Sequence, residues 1–233
     1  MPAEQLPLPT TPGESPRLRL PDRISPMQPG EVDAPFDDQD YLFEPWWPGV
    51  RAIAFSERGR VRLQVAGLAD GDAAFPELAD LPGQLAEDGV AVEGTLLVLD
   101  GEGRPDGDLL RARLSGGEPR AGRAAYVAAD LLWAGGEPVT KRTFRVRRDW
   151  LTTLLAPGDR ITVGHGYVGD GTLVAEALAR LGIDGLSARR LSTRYRAGAA
   201  GDAWLRMPVT PAEPRPRPTL ALLLRLPLDE PQS

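Results

Sequence analysis

Few residues of this chain could act as nucleophiles, general bases or metal ligands. The 27 basic residues include a single lysine, Lys141, and the chain holds one histidine, His165, and no cysteine. Thiolate catalysis, disulfides and cysteine-based zinc sites are therefore excluded, and one histidine cannot build a multi-histidine metal site. The amine of Lys141 has the chemistry to form a phosphoramidate bond. Its surroundings, Pro-Val-Thr-Lys-Arg-Thr, indicate an exposed loop, so we expect a solvated lysine.

Two further candidates carry weaker signals. His165 stands between two glycines that would let a ligand approach closely, but no second histidine or cysteine lies nearby in the sequence. We therefore expect a structural or surface histidine. Asp106 and Asp108 are two residues apart, as in a calcium-binding loop, but the further spaced ligands of such a loop are missing.

Composition bounds the class of protein. The 233 residues, 42% hydrophobic and 26% charged, suit one large soluble domain or a domain with tails. No apolar run reaches about 18 residues and no basic-plus-apolar leader is present, so we predict a cytoplasmic protein with no membrane partner. The net charge is −6. Duplex binding relies on phosphate neutralisation, so this charge argues against stand-alone DNA binding.

The elements that must position any site follow from the hydrophobic pattern. Residues 51–55 and 61–65 alternate in strand fashion around Arg58-Gly59, which predicts a β-hairpin. Further strands are predicted at residues 90–99, 126–132, 161–163, 183–190 and 204–207. Helices are predicted at residues 75–85, 147–155 and 172–181. Strands separated by single helices and hairpins indicate an α+β fold, with antiparallel sheets flanked by helices.

Proline-rich stretches suggest the domain limits. Five prolines and few core-forming residues lie within residues 1–20, which we interpret as a disordered tail. The globular pattern extends over residues 21–208. We interpret residues 209–233 as a Pro-rich C-terminal tail.

The segment Phe43-Glu-Pro-Trp-Trp-Pro-Gly-Val-Arg51 carries a family resemblance. It resembles the first motif of ATP-dependent DNA ligases in the bacterial end-joining type, Phe-Glu-x-Lys-Trp-Asp-Gly-x-Arg. In that family the lysine attacks the α-phosphate of ATP. Trp46 stands at the lysine position and Pro48 at the aspartate position. An indole nitrogen has no available lone pair, so Trp46 cannot replace the amine, and we expect it to pack into the vacated cleft.

Other motifs of the family follow in the expected order, with altered ligand-contacting positions. Ala66 stands where the ribose-contacting arginine is expected, and Glu93-Gly-Thr95 replaces Asp-Gly-Glu. Ala129 replaces the adenine-stacking aromatic residue. A threonine hydroxyl carries no charge and is a poor magnesium ligand, so the change at Thr95 weakens the implied metal site.

The last two motifs keep some charge. Asp184 and Arg189 stand at the glutamate and lysine of Glu-Gly-x-x-x-Lys-Arg, and Arg206 replaces one lysine of the final Trp-x-Lys-x-Lys. The resemblance thus implies a cofactor pocket containing Arg51, Glu93, Asp184, Arg189 and Arg206. It makes Asp184 the candidate metal ligand.

The resemblance covers residues 24–208 and implies a nucleotidyltransferase core, ATP-grasp-like, with two antiparallel sheets around a cleft. Trp46, Glu93, Ala129, Asp184 and Arg206 are expected to line that cleft. The 25 residues after Pro208 are too few for the OB-fold domain that follows the core in family members.

We predict a catalytically degenerate, ligase-like protein, a pseudoenzyme acting in binding or regulation with a possible DNA-repair protein partner. One alternative is an active ATP-dependent ligase or nucleotidyltransferase that uses ATP and Mg²⁺, possibly with a partner chain. A third hypothesis is a domain unrelated to DNA repair.

Overall fold

Two β-sheets build the molecule, whose computed structural model describes residues 18–116, 121–198 and 201–225. Sheet I has the strand order β1-β11-β10-β2-β9 and sheet II the order β4-β3-β5-β6-β7, with β8 paired to β6. The strands of sheet I are β1 (Gly30–Glu31), β2 (Asp38–Pro45), β9 (Tyr167–Gly169), β10 (Gly185–Arg190) and β11 (Trp204–Pro208). The strands of sheet II are β3 (Val50–Glu57), β4 (Arg60–Val65), β5 (Val90–Leu99), β6 (Arg123–Ala134), β7 (Glu137–Pro138) and β8 (Ile161–Val163).

Helices cover the sheets. The α-helices are α1 (Gly71–Ala74), α2 (Gly107–Leu114), α3 (Phe144–Leu154), α4 (Gly171–Arg180) and α5 (Leu220–Leu223), and Pro76–Gln84 is a 3₁₀ helix. Helix α4 packs on β2 and β10, and α3 packs on β6. The α+β prediction is confirmed. All pairings are antiparallel except β1 with β11 and β6 with β8.

Side-chain alternation along β5 divides the core. Val90, Val92, Leu96 and Val98 face a cluster under the 3₁₀ helix and α3. The opposite face of β5, with Leu97 and Leu99, packs against sheet I, α4 and α5. Successive strand residues point to opposite faces, so residues 93 and 95 face the space between the two sheets.

The predicted hairpin is confirmed, with Arg58 and Gly59 both at positive φ in the turn between β3 and β4. The strands predicted at residues 90–99 and 161–163 have those bounds. The helix predicted at residues 75–85 is instead the 3₁₀ helix Pro76–Gln84, which contains Pro82. Proline lacks the N–H that an α-helix interior needs. The elements that were not predicted are α1, α2, α5, β1, β2, β7 and β9.

The chain packs beyond the predicted domain limits. Leu20, within the predicted N-terminal tail, is buried beside Phe55 and Trp133. Within the predicted C-terminal tail, Leu220 and Leu223 are buried against the core of sheet I. The free-tail interpretation is therefore wrong for these residues, because leucines at this spacing supply an apolar face. Residues 1–17 and 226–233 lie outside the described residues. Among helices of the described ranges, none has the length and apolar character needed to cross a membrane.

Candidate functional site: a cleft between the two sheets

A small cleft lies where sheet I faces β3, β5 and β6 of sheet II. Its lining side chains come from both sheets: Glu44, Trp46, Trp47, Arg51, Glu93, Thr95, Ala129, Ser187, Arg189 and Trp204. The free volume is about 70 Å³. Sites for drug-sized ligands usually enclose roughly 300 Å³ or more. The cleft is therefore largely filled by its own side chains.

Trp46 is one of the side chains that line the cleft, and it is half-buried. It follows β2 directly, and its backbone N–H donates to the carbonyl oxygen of Gly185 at 2.9 Å. A Cβ on Gly185 would lie 2.8 Å from the Cβ of Trp46, so the glycine makes room for the tryptophan. The indole stacks on that of Trp204, with ring centroids 5.7 Å apart. The indole N–H of Trp204 donates to the hydroxyl oxygen of Ser187 at 2.9 Å, which fixes the second ring.

Three arginines surround the two indoles. The guanidinium carbon of Arg189 lies 4.2 Å from the ring centroid of Trp204, and that of Arg51 lies 5.1 Å from it. The guanidinium of Arg206 lies 4.9 Å from the centroid of Trp46. Cation–π contacts at such distances are favourable, most of all with tryptophan. The arginines thus stabilise an aromatic plug.

Two buried carboxylates lie behind the plug. Both oxygens of Asp130 accept hydrogen bonds of 2.7 Å from Arg147. Glu93 lies 3.6 Å from Arg51 and 3.9 Å from Arg189, and it accepts a 3.3 Å hydrogen bond from the hydroxyl of Tyr195. Both carboxylates are removed from water, so the charge of each depends on its arginine partners, of which Arg51 is itself partly exposed.

Of the two carboxylates, Glu93 is the one with an oxygen atom that lacks a hydrogen-bond partner. It is fully buried, and its Oε2 atom has no hydrogen-bond partner. Burial raises the pKa of Glu93 above its ordinary value, although Arg189 and Arg51 oppose that rise. The pKa of Tyr195 is also raised, chiefly by burial and next by the charge of Glu93.

Another buried ion pair, between Arg148 and Glu44, lies beside the cleft. The Arg148 guanidinium donates to Glu44 and to the carbonyl oxygens of Gly164 and Ala129, the last at 2.7 Å. Glu44 is 3% exposed, and its Oε1 atom is already bonded to Arg148. Arg148 therefore balances the charge of this carboxylate.

Most of the residues expected in one cleft do meet there. Arg51, Glu93 and Arg189 line it together with Trp46 and Ala129.

Two expected residues lie outside the lining. Arg206 is exposed and contacts Trp46. Asp184 is exposed on another groove, 3.0 Å from Arg215, so the expectation that it lines the cleft is wrong. A turn before β10 points this side chain away, because residue 185, at the start of the strand, already packs on Trp46.

The other candidates fall outside the cleft. Lys141 and His165 are exposed. Asp106 caps α2, its carboxylate accepting from the backbone N–H groups of Asp108 and Leu109. Sequence reasoning missed Arg147, Arg148 and Tyr195. One signal was available for the arginines: they share a helical face with Phe144, Leu151 and Leu154, which are buried.

ATP and Mg²⁺ fit these residues poorly. The free volume of this cleft is far below that of a nucleotide, and Trp46 and Arg51 separate it from a more open groove of about 460 Å³ that contains Ala66. Magnesium is bound by carboxylate oxygens, but Glu44, Glu93 and Asp130 each lie within 4 Å of an arginine nitrogen. Within the described residues, no group of three or more histidine or acidic side chains is placed to hold a metal ion.

Two β-sheets on either side of a cleft form a nucleotidyltransferase core. Comparisons with known proteins identify the family. The chain is 30% identical over 166 residues to the multifunctional non-homologous end joining DNA repair protein LigD of Mycobacterium tuberculosis. That match covers 71% of this chain and 21% of LigD, so the chain spans about a fifth of that relative. The SPbeta prophage-derived DNA ligase-like protein LigB of Bacillus subtilis is 22% identical over 184 residues, covering 79% and 67%. No protein-family model matches.

Solved structures agree. Mycobacterial DNA ligase D complexed with ATP and MES superposes with a TM-score of 0.68 at 27% identity, covering 79% of this chain and 60% of that one. The ligase domain of M. tuberculosis LigD gives 0.65 at 26% identity, covering 78% and 58%. The chain is therefore an ATP-dependent DNA ligase-like protein, and the part it shares with that family is the adenylation domain.

Proposed function

We propose that this chain is a catalytically degenerate DNA ligase-like protein, a pseudoenzyme that acts by binding or regulation in DNA repair. The observation that carries the proposal is the position of Trp46. Its indole lines the cleft that the fold would use for a nucleotide, stacked on Trp204 and bordered by arginines. An indole cannot form the phosphoramidate bond that starts ligase chemistry.

The surrounding chemistry supports the same proposal. A nucleophile must reach the α-phosphate, yet Lys141, the one lysine of the chain, is exposed and does not line the cleft. The carboxylates near the plug are neutralised by arginines rather than available to a cation. The nucleophile and the carboxylates that a metal would need both support the proposal.

Self-adenylation is the direct test. The protein is incubated with ATP and Mg²⁺ and its intact mass is measured, with the LigD ligase domain as positive control. We expect no gain of an AMP group by this chain under conditions that label the control. A stable adduct would overturn the proposal in favour of an active enzyme, and peptide mapping to Lys141 would identify a relocated nucleophile.

Nucleotide binding is tested separately, because a pseudoenzyme can still bind. A ligand that binds only the folded state raises the melting temperature. We expect ATP with Mg²⁺ to leave the melting temperature of this chain unchanged. Trp46→Ala is the matched variant for this melting measurement, because it removes the indole from the cleft and keeps Arg51 and Arg189. If ATP with Mg²⁺ raised the melting temperature of the unchanged protein as much as that of the LigD ligase domain, the interpretation that the cleft has no room for a nucleotide would be contradicted.

The repair context rests on the relatives, since the LigD proteins are named for non-homologous end joining. We propose a repair-protein partner rather than DNA as the main contact, because the net charge of −6 opposes phosphate binding. A mobility-shift titration with nicked duplex DNA at low salt checks this. We expect no shift at protein concentrations that shift the LigD ligase domain.

A further inference from the structure

Two segments of this acidic chain carry basic residues and no acidic ones. Residues 138–148 hold five basic residues and residues 185–198 hold four, in a chain with 33 acidic and 27 basic residues. The structure joins the two segments. The backbone N–H of Phe144 donates to Thr193 at 2.7 Å, and that of Tyr195 donates to Thr140 at 3.0 Å. Nine basic residues are thereby brought together.

Four of the nine have partners. Arg147, Arg148 and Arg189 are buried in the cleft network, and Arg190 pairs with Asp202 at 2.8 Å. The remaining five are exposed and form what we term the basic face: Lys141, Arg142, Arg145, Arg194 and Arg196. No described carboxylate lies within 4 Å of any of these five side chains.

The basic face has a cost for the folded state. Like charges repel, and Arg145 lies in the first turn of α3, where the helix dipole disfavours a cation. Thr143 at the N-cap of α3 makes no capping hydrogen bond through its side chain. Unpaired cations at this place are not explained by packing or by local ion pairs. A bound anionic group would offset the repulsion.

The shape next to these charges suits a polypeptide. Arg194 and Arg196 line a groove of about 380 Å³ together with Ser192, Thr193 and Met27. Val146, next to Arg145 on α3, is an exposed large apolar residue at 46% exposure. Hydroxyls, guanidiniums and an exposed apolar side chain are complementary to a segment that mixes carboxylates with apolar residues.

We propose that the basic face is a docking surface for an acidic, partly apolar peptide segment of a partner protein. A long nucleic acid fits less well, because its binding relies on phosphate neutralisation over a wide surface, and the chain as a whole carries a net charge of −6. The surface lies outside the cleft lining, so the proposal does not depend on whether the chain binds ATP.

The test uses the full chain and a fluorescent peptide of alternating glutamate and leucine. The matched peptide replaces every glutamate with glutamine, and a single-stranded oligonucleotide of equal charge is the second comparison. We expect the acidic peptide to bind, more weakly as salt is raised, and the other two probes to bind at least about tenfold less tightly. Absence of acidic-peptide binding overturns the proposal, and so does tighter binding of the oligonucleotide.

Variants locate the site. Arg145→Gln combined with Arg194→Gln is expected to weaken peptide binding about tenfold or more. Arg58→Gln combined with Arg60→Gln, in the β3–β4 hairpin, is the matched control and is expected to leave binding unchanged. The melting temperature of the basic-face variant should stay equal or rise, because repulsion is removed. If both variants lose peptide binding equally, the assignment of the site to the basic face is overturned. It is also overturned if the basic-face variant loses binding only because its melting temperature falls.

Discussion

The indole of Trp46 stacks on that of Trp204 with the ring planes inclined by 29° and the centroids 5.7 Å apart. Trp46 follows β2 and Trp204 begins β11, and β10 lies between these two strands in sheet I. The stack therefore spans three strands at the mouth of the cleft. Arg189 from the middle strand covers Trp204, so the plug and the sheet stabilise each other.

Restoring a lysine should not restore adenylation. Trp46→Lys places an ammonium beside Arg51, Arg189 and Arg206 and removes the aromatic stack. We expect stability to fall by about 1–4 kcal/mol and no AMP labelling, because residues of a catalytic unit act non-additively. Chemical denaturation and ATP labelling measure both effects, with Trp46→Phe as the aromatic control. Robust labelling of the lysine variant would show that the rest of the pocket still works.

The buried Arg147–Asp130 pair should be costly to break. Arg147→Ala leaves the carboxylate of Asp130 with only Arg189, at 3.4 Å, inside the core. Removing one partner of a buried ion pair costs about 3–5 kcal/mol. Arg160→Ala is the control, since its pairing with Asp80 is exposed and is worth less than about 1 kcal/mol. Similar losses from both substitutions in urea denaturation would disprove the buried-network account.

Glu93 should make stability fall as pH rises. Its folded-state pKa is raised by burial above the ordinary value of 4.5. The unfolded chain therefore ionises first, and the stabilisation present below pH 4.5 is lost as pH rises through the folded-state pKa. Glu93→Gln removes the titration. We expect a shallower decline of unfolding free energy as the pH rises above 4.5 in the variant than in the unchanged protein. Parallel pH profiles would refute this role.

Gly94 should tolerate no side chain. A Cβ there would lie 2.5 Å from the carbonyl oxygen of Val127 and 2.7 Å from the ring of Tyr126. We expect Gly94→Ala to destabilise the protein by about 1–3 kcal/mol through overpacking. Gly101→Ala is the matched control, because no atom lies within 4 Å of its added Cβ. Thermal melting compares the two, and equal melting temperatures would contradict the close contact.

The sequence alone determined much of the framework. The apolar run of β5 and the Arg58-Gly59 turn fixed a strand and a hairpin, because period-two patterning and turn chemistry are local properties. The family resemblance and its adenylation-domain fold also followed from the ordered motifs. Trp46 at the nucleophile position was visible in the same way, since residue identity is enough to exclude an amine.

The tertiary structure decided what surrounds Trp46. Arg147 and Arg148 were not recognised as site residues, yet they are buried against Asp130 and Glu44, which lie 17 and 104 residues away in sequence. Asp184 was expected in the cleft and lies outside it. Long-range charge pairing has no local sequence pattern, because it depends on how β2, β6 and α3 meet. The direction of a side chain at a strand end likewise depends on the packing of its neighbours, and that packing exists only in the folded chain.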